Sequence, residues 1–356
     1  MEISRVRDAV AAHGLPAVVA LAHGDEVAVE AVGGYAPDTV VRIASLTKPI
    51  VAAAALLLVR DGVLRLDEPV AELLPELSPR RVLTRPDGPL DDTVPAEREI
   101  TLRDLLTFTW GFGLDPALPP DAPVVRAAAE LELGLGPPLP PVPHDPDEWL
   151  RRLGTLPLMR QPGATWIYDV GSDVLGVLLA RADGVDLGTV LHRRVLDPLG
   201  MADTAFHGTP EQVHRLPPLH ADDGAVADPP DGCWSRPPAF PSGAGGLVST
   251  AADLLAFTGM LARGGDLLPR ELFAAMTTDQ LLPAQRGSMI LGDRGWGFGL
   301  SVYGEATVGW AGGTGTYWFT DLRRGTTALL LTQMMFGPAS GALIADFERV
   351  AGAELA

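Results

Sequence analysis

Arg42-Ile43-Ala44-Ser45-Leu46-Thr47-Lys48-Pro49 leads directly into Ile50 to Val59, the longest apolar run of the chain. Ala and Leu dominate that run, which predicts a buried helix rather than a strand, stopped by Asp61-Gly62. Ser45 and Lys48 stand three apart at its start, where residues i and i+3 share a face, so a hydroxyl and an amine can touch. The chain has no asparagine and a single lysine, Lys48, among 27 basic residues. A sequence that otherwise uses arginine for every cation keeps one lysine where arginine's permanent charge does not serve. Serine needs a base within hydrogen-bond reach. A lysine in an apolar, partly cationic pocket is expected to lose its proton near neutral pH and act as that base. The helix start adds free amides for a developing oxyanion, and Pro49 is tolerated because first-turn amides lack an intrahelical partner. The plain alternative is a serine cap and a surface charge, but the only lysine has one of just ten serines three positions before it.

Upstream, a short opening helix precedes Ala17 to Ala22 and Val27 to Val32, two β-branched-rich runs that His23-Gly24-Asp25-Glu26 joins into a hairpin ended by Gly33-Gly34. Downstream, residues 64–110 read as mostly helical, with Thr101 an N-cap. Residues 111–147 hold ten prolines and one helical patch, Val124 to Leu133, and read as a long covering loop, either a lid or a plain solvated excursion. Further helices are expected over Asp173 to Ala182 and Leu187 to Val195 and from about Thr250, the last after a second Pro-rich stretch, Pro217 to Pro241. From Gly297 onward short alternating runs (Leu300 to Tyr303, Ala306 to Trp310, Thr316 to Thr320, Ala328 to Gln333) predict antiparallel strands before a terminal helix. The expected architecture is α+β: one antiparallel sheet from both termini, flanked by helices, forming a single catalytic domain over 1–356. Within it, 1–44 plus 240–356 carry the sheet and 45–239 form a mostly helical insertion, with the site at the seam.

The chain has 356 residues, 47% of them hydrophobic, and a formal charge of −18. That charge repels phosphate backbones and anionic head groups, so neither nucleic acid nor a membrane is an expected partner. The longest apolar run is about half the roughly 20 residues a spanning helix needs. Ala9 to Ala12 is too short a core for a secretory signal, so a cytoplasmic location is expected. One cysteine, Cys233, makes no internal disulfide, and seven scattered histidines offer no zinc-type ligand set. Neither metal nor cofactor is called for. Lys48 is followed by proline, so it is no phosphate-loop lysine, and no Gly-x-Ser-x-Gly elbow occurs.

With Leu102-Arg103-Asp104-Leu105-Leu106-Thr107, Pro162-Gly163-Ala164-Thr165-Trp166-Ile167-Tyr168, Leu196-Asp197-Pro198-Leu199-Gly200-Met201 and Gly245-Gly246-Leu247-Val248-Ser249-Thr250 added, nearly the whole chain resembles the serine β-lactamase and penicillin-binding-protein superfamily. The resemblance is to its class C-like branch, which contains the family VIII carboxylesterases. It implies that Tyr168, the match to the tyrosine of the family's Tyr-x-Asn motif, helps Lys48 move the proton from nucleophile to leaving group. Asp169-Val170 follows where an asparagine is usual, which argues against efficient β-lactam turnover. Asp169 either orients Tyr168 or Lys48, contacting substrate, or caps the next helix. Trp310-Ala311-Gly312 stands where Lys-Thr-Gly holds a substrate carboxylate, and the missing charge favours a neutral ester. By the same resemblance the amides of Ser45 and Gly313 form the oxyanion hole, Gly312 keeps the strand open for substrate, and Trp310 and Trp318 form an apolar wall. Gly-rich strand ends are also simple bulges. The expected activity is hydrolysis of a small-molecule carboxylic ester through a Ser45 acyl-enzyme. The alternatives are an acyltransferase or an amide- or D-peptide hydrolase, then a weak β-lactamase, then an acyl-binding sensor without turnover. Oligomeric state is left open.

Overall fold

Alternation writes the sheet. In the computed structural model, which describes residues 2–136, 139 and 141–355, the hairpin strands β1 (Ala17–His23) and β2 (Glu26–Val32) join five strands from the other end of the chain. These are β3 (Gly295–Trp296), β4 (Ser301–Tyr303), β5 (Thr307–Gly312), β6 (Thr316–Asp321) and β7 (Thr326–Thr332). The order is β2-β1-β7-β6-β5-β4-β3, antiparallel throughout, so the two termini meet where β1 pairs with β7, Ala17 opposite Thr332.

Successive side chains point to opposite faces. Ala17, Val19, Leu21, Tyr317 and Leu330 pack under helices α1 (Ile3–Ala11) and α6 (Pro338–Leu355), around Val6, Val10, Leu343 and Phe347. Val18, Ala20, Leu329, Leu331, Trp310 and Trp318 face the larger core, which holds α2 (Thr47–Arg60) and α5 (Ala251–Ala262). Every residue of α2 from Thr47 to Leu58 is buried. Each fully buried Leu or Ile there contributes about 1.5–3 kcal/mol, so the helix carrying Lys48 is anchored along its length.

Between the two ends lie α3 (Leu102–Leu106), closed by a Thr101–Asp104 capping box, and α4 (Gly171–Asp183). The expectation that 64–110 is mostly helical fails. It contains two single-turn 3-10 segments, the strand pair Arg81–Leu83 with Thr93–Pro95, and only α3. Six prolines between 69 and 95 remove the amides a helical ladder needs. The loop 111–147 contains one helix, Pro123–Glu130, and leads into another, Pro146–Gly154; Pro137, Pro138 and Pro140 lie outside the described residues. The edge strand β3 and the helix Arg270–Thr277 were not anticipated.

Candidate active site

Strand pairing on one side and a helix on the other fix Ser45. Val41–Arg42 pairs with Val248–Ser249, and the Ile43 amide donates to the Leu247 carbonyl at 3.0 Å. Ala44 then turns into the left-handed region at φ +45°, an unfavourable conformation for a residue with a Cβ. This kink lets the chain enter the 3-10 turn Ala44–Leu46 with Ser45 half-buried while its neighbours are closed off.

Lys48 is fully buried and donates to Ser45 Oγ at 2.9 Å, Asp169 Oδ1 at 2.7 Å and the Ala244 carbonyl at 2.6 Å. An ammonium has three N–H bonds, and all three are used. The partly cationic pocket expected from sequence is replaced by an anionic one. Burial pushes Lys48 down, but Asp169, then Tyr168 and Asp173, outweigh it and hold the amine above its ordinary value. The resting lysine is therefore charged, and its neutral form is the minor one.

Asp169 does more than follow Tyr168. Its backbone is left-handed, φ +81°, and its second oxygen accepts the Gly136 amide at 3.0 Å, tying the loop 111–147 to Lys48. Both carboxylate oxygens thus have partners, and the structure assigns Asp169 to Lys48 rather than to capping α4, whose first turn has no side-chain cap. One helical turn on, the buried Asp173 accepts from Ser242 Oγ at 2.7 Å and the Ala244 amide at 3.0 Å, holding the segment whose carbonyl binds Lys48. Burial and then the charge of Asp169 push the Asp173 carboxyl up to about 7.

Tyr168 lies against both. Lys48 Nζ sits 4.6 Å from its ring centroid, and its phenolic oxygen accepts the Trp310 indole N–H at 2.6 Å. Trp166 stacks on the ring at 5.5 Å and Phe108 meets it edge-on at 5.8 Å, so both are packing, not cavity wall.

Two glycine-stretch expectations separate. Gly313 lines the cavity, and a Cβ there would meet nothing within 4 Å. Gly312 does not keep the strand open for substrate. A Cβ on it would lie 2.1 Å from Thr316 Oγ1 and 2.5 Å from the Ile43 carbonyl, so its bareness seats β5 against the backbone that leads into Ser45. Trp318 is likewise corrected. It is the cross-strand partner of Trp310, but β6 lies inside the sheet, and its indole bonds Thr320 Oγ1 at 2.8 Å within the core. Trp310 stands where the β4 pairing has ended at Gly309, so it reaches the cavity alone.

Ser45, Tyr168, Asp169, Trp310 and Gly313 open into one cavity of about 740 Å3, walled by apolar groups that sequence reasoning missed: Leu114, Leu139, Leu219, Trp234, Ile290 and Met335. They come from four separate segments with no shared motif; only the two Pro-rich stretches hinted at a cover. Among the described residues no group of three His, Cys, Asp or Glu side chains is placed to hold a metal, and no helix is long and apolar enough to cross a membrane.

The Beta-lactamase family profile matches residues 3–353. The chain belongs to that family. Among its relatives, esterase EstB of Burkholderia gladioli is 34% identical over 337 residues, 86% of this chain and 80% of EstB. Lovastatin esterase of Penicillium rubens is 31% identical over 350 residues, 88% of this chain and 84% of its own. In fold the chain is similar to EstCE1, a hydrolase with promiscuous acyltransferase activity (TM-score 0.77, 24% identity, 98% of this chain and 97% of that one). The antiparallel sheet with flanking helices is the β-lactamase-like fold expected from the motifs.

Proposed function

We propose that this chain is a serine carboxylesterase that cleaves small-molecule esters through an acyl-enzyme on Ser45. The observation that carries the reading is the Ser45–Lys48 hydrogen bond at the floor of a largely apolar cavity, with Tyr168 beside it and a tryptophan in place of a carboxylate-binding lysine. Similarity to EstB and to lovastatin esterase supports ester hydrolysis.

In the reactive form Lys48 is neutral. It keeps two hydrogens for Asp169 and Ala244 and turns a lone pair to Ser45, whose proton it takes as Oγ attacks the ester carbonyl. The tetrahedral oxyanion is held by the amides of Ser45 and Gly313. The C–O bond to the alcohol then breaks, and the proton passes from Lys48 through Tyr168 to the departing oxygen. Water repeats the sequence on the acyl-enzyme and releases the acid. With one cysteine and no disulfide, the proposed location is the cytoplasm.

Hydrolysis of p-nitrophenyl acetate and butyrate, with intact-mass detection of the adduct, tests this. Ser45→Ala and Lys48→Arg should each lose about 10³-fold or more in kcat/KM, and wild type should show one acyl group per chain under burst conditions. An active Ser45→Ala variant refutes the site. Acyl transfer is the second reading, favoured by a cavity whose walls are mostly apolar. Partitioning of the acyl group to added alcohols decides between the two.

A further inference from the structure

The catalytic cavity has a second, polar region that the mechanism leaves unused. Residues Trp310 and Ala311 are consecutive on β5, so they face opposite sides of the sheet, and both line the cavity. Because β4 stops pairing at Gly309, the cavity wraps around the free edge of β5. Tyr168 and its partners lie on the Trp310 side. On the Ala311 side are Arg294, Tyr317 and Glu348, with Tyr317 packed in the core beneath α6.

Arg294 is the notable group. Its guanidinium rests 4.7 Å over the Tyr303 ring, yet none of its five N–H donors has a hydrogen-bond acceptor among the described residues. Its one ionic contact is a long one, 3.8 Å to Glu348, and both side chains are about one-third exposed. Tyr303 and Tyr317 share a single hydroxyl–hydroxyl bond of 3.2 Å, so one of their two protons remains for an incoming acceptor. By contrast Lys48 has all its protons placed, and Thr314, another cavity group, donates its own to the Arg42 carbonyl at 2.6 Å.

We propose that this region is a subsite for an anionic group, specifically a carboxylate, borne by the ester substrate away from the bond that is cleaved. Arg294 receives it with its planar fork, the Tyr303–Tyr317 pair supplies one further hydroxyl, and Glu348 balances Arg294 when the subsite is empty. The substrate class is then an amphipathic ester: a scissile bond at Ser45, an apolar middle around the β5 edge and a remote acid. The inference rests on the esterase reading. It does not revive the lost Lys-Thr-Gly contact, since that residue is Trp310, on the other side of the strand.

Two substrate series test it: mono-p-nitrophenyl esters of linear dicarboxylic acids of six to ten carbons, and acetyl esters of ω-hydroxy acids. Each member is compared with its methyl-capped neutral counterpart. In wild type the free acid of at least one series should have a KM about tenfold or more below its capped partner. Arg294→Gln should abolish that difference, with kcat and p-nitrophenyl butyrate hydrolysis within about twofold of wild type. Glu348→Gln, which removes the competing carboxylate, should widen it. Equal KM values in both series for wild type, or an Arg294→Gln variant that weakens acid and capped esters alike, overturn the proposal. So does a preference for ammonium-bearing esters that Glu348→Gln removes. Calorimetric binding of free dicarboxylates to Ser45→Ala, lost on adding Arg294→Gln, reads the subsite without turnover. If they bind but p-nitrophenyl butyrate is not hydrolysed, the esterase reading fails and the subsite stands; turnover without binding or acid preference fails the subsite alone.

Discussion

Asp169→Asn isolates the charge that governs Lys48. The carboxylate accepts Lys48 Nζ at 2.7 Å through one oxygen and the Gly136 amide at 3.0 Å through the other. Asparagine offers one oxygen to these two donors and turns its own N–H groups toward the second, leaving a buried cation without its counter-charge. Breaking a buried pair on one side costs about 3–5 kcal/mol. An unfolding entropy of about 2.1 cal/mol/K per residue over 356 residues gives about 0.75 kcal/mol/K, so a loss of about 4 kcal/mol lowers Tm by about 5 °C. The kinetic sign is independent of the thermal one. Asp169 raises Lys48, so wild-type kcat/KM should climb with pH as the amine neutralises, and the limb should move to lower pH in the variant. The linkage agrees: a folded-state lysine raised above its unfolded value lends stability that is complete below the unfolded value and is lost as pH rises through the folded one. The stability gap between wild type and variant should therefore close in strong alkali. Adding Lys48→Met to Asp169→Asn removes both charges and should recover most of the Tm while activity stays absent. Calorimetry and a pH–rate profile on p-nitrophenyl butyrate read all of this. A variant within 1 °C of wild type with an unmoved alkaline limb would refute the pairing as the control on Lys48.

Trp310→Phe keeps an aromatic ring, a smaller one, but deletes the 2.6 Å donor to the Tyr168 oxygen; kcat for p-nitrophenyl butyrate should fall roughly tenfold, as for loss of one hydrogen bond, and an unchanged kcat would reduce Trp310 to a wall. Asp173→Asn should fold normally, because Asn still accepts from Ser242 and Ala244 as the protonated acid does. With Asp173 pushed up to about 7, wild type should lose stability as pH rises from about 4 to 7, and urea titrations of the variant should be flatter across that window. Gly312→Ala and Gly313→Ala should diverge: the first puts a methyl 2.5 Å from the Ile43 carbonyl and should lower both Tm and activity, the second meets open space and should leave Tm intact.

What the sequence made legible follows from interaction range. The β5–β7 meander, the hairpin and α2 are written in local alternation or local composition, and Ser45-x-x-Lys48 is a contact within one helical turn. The charge state of Lys48 is not local: Asp169 is 121 positions away, and no pattern along the chain announces that its carboxylate, not a cation, shares the pocket. Trp310 and Trp318 read alike because both are alternating strand residues, and only the extent of pairing, with β6 bonded on both sides along its length and β5 unpaired beyond Gly309 on its β4 side, separates wall from core. The segment 64–110 misled through its leucines, whose helical preference the prolines cancel. β3, at two residues, is too short to show any period.

Asp169 also couples the backbone at Gly136 to the charge on Lys48. A carboxylate that donates part of its electron density to the Gly136 amide has less to give the ammonium, so that bond loosens the hold of Asp169 on the Lys48 proton. Without the Gly136 bond that density would return to the ion pair and hold the lysine more firmly charged. Reciprocity then requires that loss of the Lys48 proton strengthen the bond between Asp169 and the Gly136 amide, so the backbone at Gly136 and the charge on Lys48 read each other through one carboxylate.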